Sequence, residues 1–213
     1  MGRKCKCLIA DDHPIIRKGV KDLVVDAGLC AAVSEAGSGE AVLAMVRQEP
    51  WDLLVLDVAL PDKHGLEVLK EVKLLRPALP VLMLSLYPER EFAVRAIKAG
   101  ASGYLTKDQT PVEFVTAVRQ VLDGRRYITP SVANHLANHL TLRQSGIPHE
   151  TLSDREMEVL RLLGQGKTVS EIAEDITLSV KTVSTYRSRL LKKLRLSTTA
   201  ALVRYAIEHR LTT

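Results

Sequence analysis

Two adjacent carboxylates, Asp11 and Asp12, follow the short apolar run Cys7-Leu8-Ile9-Ala10. Asp57 closes a similar run, Leu53-Leu54-Val55-Leu56, and Ser85 closes Val81-Leu82-Met83-Leu84. Lys107 comes just after Gly103-Tyr104-Leu105. Three carboxylates brought together repel, and some protonate unless a cation sits among them. Two or three carboxylates with waters and a main-chain carbonyl make an all-oxygen site suited to Mg²⁺. A carboxylate beside such an ion acts as a nucleophile toward phosphorus. An ammonium and a hydroxyl bind the oxygens of the incoming group. The set therefore describes phosphoryl transfer to Asp57. A lone strand-end aspartate is more often a turn or helix cap, and Asp12 before His13-Pro14 reads that way by itself. What outweighs the cap is that all five positions fit one edge of a sheet.

The elements that would position them alternate along the first 125 residues. The apolar runs, with Ala31-Ala32-Val33 as the second, have the length and turn-rich flanks of buried parallel strands. Between them lie helix-period stretches over 15–27, 39–47, 65–75, 89–98 and 112–122. Five strands alternating with five helices predict an α/β, doubly wound parallel sheet covered on both faces. In such a sheet ligands bind outside the carboxyl ends of the strands.

Residues 1–125 resemble the receiver domain of bacterial two-component response regulators. The resemblance is carried by Ile9-Ala10-Asp11-Asp12-His13-Pro14, Val55-Leu56-Asp57-Val58-Ala59-Leu60-Pro61-Asp62-Lys63-His64-Gly65, Leu82-Met83-Leu84-Ser85 and Gly100-Ala101-Ser102-Gly103-Tyr104-Leu105-Thr106-Lys107. It implies a flavodoxin-like sheet of order 2-1-3-4-5. It implies that Asp57 accepts a phosphoryl group from the phosphohistidine of a sensor histidine kinase. Asp11, Asp12, Asp57 and the main-chain carbonyl of Ala59 would hold Mg²⁺. Lys107 and Ser85 would bind the phosphoryl oxygens, with Ser85 and Tyr104 as a switch pair whose ring turns inward. Two positions depart from the family pattern. His64 stands where Asp or Asn is common, with kinase docking or phosphoryl lifetime as its expected reach. Asp108 stands where many receivers have Pro.

Composition frames the rest. The chain has 213 residues, 46% apolar and 26% charged, which excludes disordered, collagen-like and disulfide-rich classes. No apolar run approaches the ~18 residues of a membrane span, and Asp11 arrives too early for a signal peptide. Cys5, Cys7 and Cys30 lack metal-like companions, so a reducing, cytoplasmic setting is expected. The net charge of +5 is uneven: residues 1–126 hold 18 basic and 17 acidic side chains, and residues 151–213 hold 11 and 7. Six bases and no acid fall between Lys181 and Arg195. Such a stripe suits nucleic acid, although a solvated helix face has the same composition.

From Leu152 the periodicity is helical over 153–164, 169–176, 180–194 and 198–209, after a 126–149 linker with one helical piece at 132–142. Ser153 and Glu156 form a capping box. Thr177-Leu178-Ser179 joins two helices tightly enough for a helix-turn-helix, with Ser179 as N-cap. Val183, Leu190, Leu191 and Leu194 share the core face. The small all-α domain at 150–213 resembles the LuxR-type helix-turn-helix of NarL/FixJ response regulators. That resemblance puts Ser184, Thr185 and Ser188 toward base edges, and Lys181, Thr182, Tyr186, Arg187 and Lys192 toward the backbone of double-stranded DNA. The last helix, with Ala201, Leu202, Ala206 and Ile207, resembles a dimerisation helix.

Other features are set aside. Gly166-Lys167-Thr168 lacks the strand and the earlier glycine of a phosphate loop, since position 161 is Arg161. His135 and His139 have helical spacing but no third ligand, and Cys5 with Cys7 read as small hydrophobes rather than a redox pair. The function expected is a transcription factor, homodimeric when phosphorylated or DNA-bound, whose DNA binding follows Mg²⁺-dependent phosphorylation of Asp57. It would catalyse only its own phosphoryl transfer and dephosphorylation. The alternatives are an aspartate-dependent phosphatase, which lacks a second acid and a substrate cap, and an atypical receiver that binds DNA constitutively.

Overall fold

The computed structural model describes residues 5–86, 89–134, 148–209 and 211–212. The chain divides into two compact units, 1–139 and 140–213, each with its own apolar core.

The first unit alternates β1 (Lys6–Ala10), α1 (Pro14–Asp26), β2 (Ala32–Ala36), α2 (Gly39–Gln48), β3 (Leu53–Asp57), α3 (Gly65–Leu75), β4 (Val81–Ser85), α4 (Glu89–Lys98), β5 (Gly103–Thr106) and α5 (Pro111–Leu122). All strand pairings are parallel, in the order 2-1-3-4-5. Because side chains alternate along a strand, each central strand feeds two cores. Leu8, Leu54, Leu56, Val81, Met83 and Tyr104 pack with α2, α3 and α4. Cys7, Ile9, Leu53, Val55, Leu82, Leu84 and Leu105 pack with α1 and α5 on the other face. The central strands β3 and β4 are buried throughout, and their side chains are nearly all aliphatic. β2 runs three residues past the expected Val33 because Ser34 and Glu35 sit on a sheet edge, where polar side chains reach solvent.

The second unit holds a short 3₁₀ turn (Pro148–Thr151), then α6 (Asp154–Gly164), α7 (Val169–Asp175), α8 (Val180–Leu194) and α9 (Thr199–Glu208). The Ser153–Glu156 capping box is present, and Ser179 caps α8 by accepting the Thr182 N–H at 3.0 Å. Thr168, the end of the apparent phosphate loop, is the N-cap of α7 in a capping box with Glu171. The backbone is helical over 130–134, while the rest of the 132–142 piece, with His135 and His139, lies outside the described residues.

Contrary to expectation, Cys5 is not a free small hydrophobe. Cys5 and Cys30 are joined as a disulfide, their Cα atoms 4.5 Å apart, because the start of β1 runs beside the α1–β2 turn. Cys7 is free and buried, as a small hydrophobe, and burial pushes its thiol up to about 12.

Gly65 fixes the approach of α3 to β3. A Cβ there would stand 2.0 Å from the Asp57 carbonyl oxygen and 2.8 Å from the Val58 Cα, both backbone atoms that cannot swing aside. Gly65→Ala should therefore cost about 3 kcal/mol, the upper range for overpacking. A lowered urea midpoint would show it, and an unchanged midpoint would mean that the loop yields freely.

Candidate functional site

Asp11 and Asp12 follow β1, Asp57 ends β3, Ser85 ends β4 and Lys107 follows β5. All five stand at the same carboxyl edge of the sheet. The Lys107 N–H donates to the Ser85 carbonyl at 2.7 Å, which extends the β4–β5 ladder by one residue and aims the lysine inward. Lys107 Nζ lies 2.7 Å from Asp57 Oδ2 and 2.6 Å from Asp11 Oδ2. The other Asp57 oxygen, Oδ1, accepts the Ala59 N–H at 3.2 Å. Asp11, Asp57 and Ser85 are buried, while Asp12 keeps partial contact with solvent.

The electrostatics follow from that burial. Desolvation pushes the Asp57 carboxyl up to about 6; nearby Asp11 adds to the rise, and Lys107 and the Ala59 amide oppose it. Burial alone would depress the Lys107 ammonium, but Asp57 and Asp11 together hold it above the usual lysine value. Asp11, Asp12, Asp57 and His13 each offer one atom within 4.8 Å of the others. Two buried carboxylates thus face one ammonium, with Asp12 beside them, and the donor set fits a hard divalent cation. Ala59, half-buried two residues past Asp57, is bridged to His64 in antiparallel fashion.

Some site residues were not singled out from the sequence. His13 joins the acidic cluster, with Nδ1 beside Asp12 and 3.3 Å from Asp11 Oδ1. Arg17 braces the cluster from behind: Nη1 donates to the Asp11 carbonyl at 2.7 Å, and Nε to Glu35 at 3.2 Å. The only local signal for His13 was its place after two aspartates, and Arg17 had none. Tyr104 is buried on the α2–α3–α4 face, with its ring inward. His64 is buried too: its Nδ1 accepts the Leu66 N–H at 3.2 Å as the N-cap of α3, and its ring packs on Phe92 at 5.6 Å. A cap that deep has no surface to offer a docking kinase, which corrects that part of the expectation.

In the second unit, α7 and α8 meet through Ile176–Ser179, where Thr177 takes a positive φ of 53°. Val183, Leu190 and Leu194 are buried, and Leu191 is half-buried against them. Lys181, Thr185, Ser188 and Lys192 are exposed, with Ser184, Tyr186 and Arg187 half-buried. Thr182 is drawn into the cap, its hydroxyl 2.7 Å from that of Ser179. The six-residue basic stripe does not face one way. Lys193 Nζ is held 2.6 Å from Glu156, and Arg195 takes the left-handed C-cap position of α8. Leu202 and Ala206 of α9 are buried in their own core, leaving Ile207 exposed on that helix.

Comparison with known proteins agrees with both halves. The response regulator receiver domain matches residues 7–119, and the luxR family of bacterial regulatory proteins matches residues 150–206. Response regulator UvrY of Escherichia coli K12 is 32% identical over 205 residues, covering 96% of this chain and 94% of its own. Response regulator GacA of Pseudomonas aeruginosa is 34% identical over 205 residues, covering 96% of each. Among solved structures, the two-component response regulator RcsB–DNA complex is 25% identical, with a TM-score of 0.59 over 95% of this chain and 98% of that one. The chain belongs to the two-component response regulators of the NarL/FixJ family, with a receiver domain and a LuxR-type DNA-binding domain. Among the described residues, no helix is long and apolar enough to cross a membrane.

The raised Asp57 pKa has a stability consequence. Folding disfavours its ionised form, so a stabilising share present below about pH 4 is lost as pH rises through about 6. In metal-free buffer, Asp57→Asn should therefore be more stable than wild type at pH 7.5, by on the order of 2 kcal/mol. The gain should vanish by about pH 4. Urea midpoints across that range check it, and a pH-independent difference would contradict the assignment.

Proposed function

We propose that Asp57 is the phosphoacceptor for a sensor histidine kinase and that its phosphorylation controls DNA binding by residues 150–213. The observation that carries this reading is the chain Asp11–Lys107–Asp57 within 2.7 Å at the carboxyl edge of the sheet. An Asp57 oxygen attacks the phosphorus of the kinase phosphohistidine. The P–O bond forms as the P–N bond breaks, and the kinase imidazole leaves with the P–N electron pair. Lys107 holds Asp57 in place beforehand and afterwards binds the phosphoryl oxygens, joined by the Ser85 hydroxyl. Asp11, Asp12, Asp57 and the Ala59 carbonyl would hold Mg²⁺, which when bound would supply positive charge for the oxygens of the transferring group. Ser85 and Tyr104 form the switch pair, the Tyr104 ring already standing inward in this structure. The chain catalyses its own phosphorylation and dephosphorylation and turns over no other substrate.

On this reading the kinase would dock on the apolar groove beside Lys107. This groove of about 190 Å³ leads to Lys107, lined by Ile15, Ile16, Leu23, Pro111 and Phe114, and Ile15 is 84% exposed. The functional division is a receiver at 1–125, a linker at 126–149 and the DNA-binding domain at 150–213. The phosphorylated or DNA-bound form is a homodimer, and the protein works in the cytoplasm. That setting rests on the DNA-binding domain rather than on the cysteines, since Cys5 and Cys30 are paired. On DNA, Ser184, Thr185 and Ser188 face bases, while Lys181, Thr182, Tyr186, Arg187 and Lys192 lie along the backbone.

Acetyl phosphate with Mg²⁺ should add one phosphoryl group to the wild-type intact mass and none to Asp57→Asn. No adduct from acetyl phosphate or from a cognate kinase would overturn the reading. For DNA, Lys181→Ala, Arg187→Ala or Lys192→Ala should each reduce the slope of log affinity against log salt by about one. Lys193→Ala should leave that slope unchanged and lower stability instead, because its ammonium is committed to Glu156. Equal slopes for all four variants would contradict the assignment of helix faces.

A further inference from the structure

The loop between β3 and α3, residues 58–64, carries Ala59 and must hold one shape for its carbonyl to serve a cation. Its base is fixed by the sheet. The Val58 N–H donates to the Leu84 carbonyl at 3.0 Å, and the Gly65 N–H donates to the Val58 carbonyl at 2.7 Å. Its tip is fixed by something remote. Asp62 Oδ1 accepts the Gly39 N–H at 2.7 Å, and Asp62 Oδ2 accepts the Glu40 N–H at 2.8 Å, 23 and 22 residues away in sequence.

Those two N–H groups begin α2 and have no partners within the helix. The third, on Ala41, donates to Ser38 Oγ at 3.2 Å. The same helix end is therefore capped by two carriers, Ser38 from its own chain segment and Asp62 from the loop. A carboxylate on two backbone amides at a helix N-terminus makes charge-assisted bonds favoured by the helix dipole. Burial would raise the Asp62 carboxyl, but the amides of Glu40 and Gly39 hold it below the usual range. Gly39 is what allows the approach. A Cβ there would fall 2.7 Å from Val68 Cγ2 and 3.2 Å from Lys63 Cβ, pushing α2 away from the loop.

We propose that Asp62 is a positioning residue for the cation: by latching the loop tip to α2, it keeps the Ala59 carbonyl set before the ion arrives. This rests on the reading that Asp11, Asp12, Asp57 and the Ala59 carbonyl hold Mg²⁺. Without the latch, residues 59–63 have more conformations to lose on binding, so affinity falls while the carboxylates stay in place.

The bland alternative is that Asp62 only caps α2, and Ser38 separates the two. Ser38→Ala removes a cap from the same helix end but leaves the loop tied. Mg²⁺ dissociation constants would be measured by isothermal titration calorimetry on the full chain. The measurement would cover wild type, Ser38→Ala, Asp62→Asn, Asp62→Ala and Asp12→Asn, at a temperature where circular dichroism shows all of them folded. Asp62→Ala should bind Mg²⁺ about tenfold more weakly, the lower end for residues that orient a ligand. Asp62→Asn, with one acceptor oxygen left, should fall between. Ser38→Ala should keep wild-type affinity despite a lower Tm. Amide exchange at Ala59–His64 should quicken in Asp62→Ala alone. Wild-type affinity in Asp62→Ala, with a Tm loss like that of Ser38→Ala, would overturn the proposal and leave the cation reading standing. If wild type takes up no Mg²⁺, or Asp12→Asn binds it equally well, the cation reading itself falls and the proposal with it.

Discussion

A single ammonium, that of Lys107, stands between two buried carboxylates, with a third beside them. Burying charge without full compensation is costly, and this sheet edge accepts that cost at Asp57. The rest of the first unit holds the arrangement in place. β1 and β3 are neighbours in the sheet, which sets Asp11 beside Asp57. The β4–β5 ladder continues to Lys107, which brings its side chain across. Arg17 holds the Asp11 carbonyl from α1, which braces the backbone that carries the acidic pair. The pocket is thus poised to gain from any added positive charge.

The two faces of the sheet share the work. α1 and α5 cover the face that borders the apolar groove beside Lys107. α2, α3 and α4 cover the face that holds Tyr104 and the loop after Asp57. That loop is held at both ends by backbone atoms and packed without slack, since Gly65 and Gly39 each lack room for even one methyl group. In the second unit the same economy appears at α8. Its apolar side fills a small core, Lys193 is tied back to α6, and Lys181 and Lys192 are left to solvent.

The strand and helix pattern was legible because parallel strands buried on both faces read as unbroken aliphatic runs, as β3 and β4 do. The acidic edge was legible because parallel topology sends every strand end to one place, so sequence position gives spatial position. Local caps were equally readable, as Ser153 with Glu156 and Ser179 show. Contacts between distant segments were not. Nothing near Asp62 says that it caps a helix 22 residues back, and nothing near Cys5 points to Cys30. The sequence marks His64 only as a departure from the family pattern, and nothing near it says that its imidazole caps a helix from inside the core. In the sequence Lys193 is one base among six, and only the fold sets Glu156 beside it.

The central claim is that the buried carboxylates at the sheet edge lack positive charge and that a divalent cation supplies it. The most direct measurement is the titration of the Asp57 side-chain carboxyl carbon by NMR, with and without Mg²⁺. Without the ion, Asp57 should titrate near 6, and saturating Mg²⁺ should move that titration clearly downward. An Asp57 that titrates in the ordinary carboxylate range, and at the same pH with and without Mg²⁺, would contradict the account.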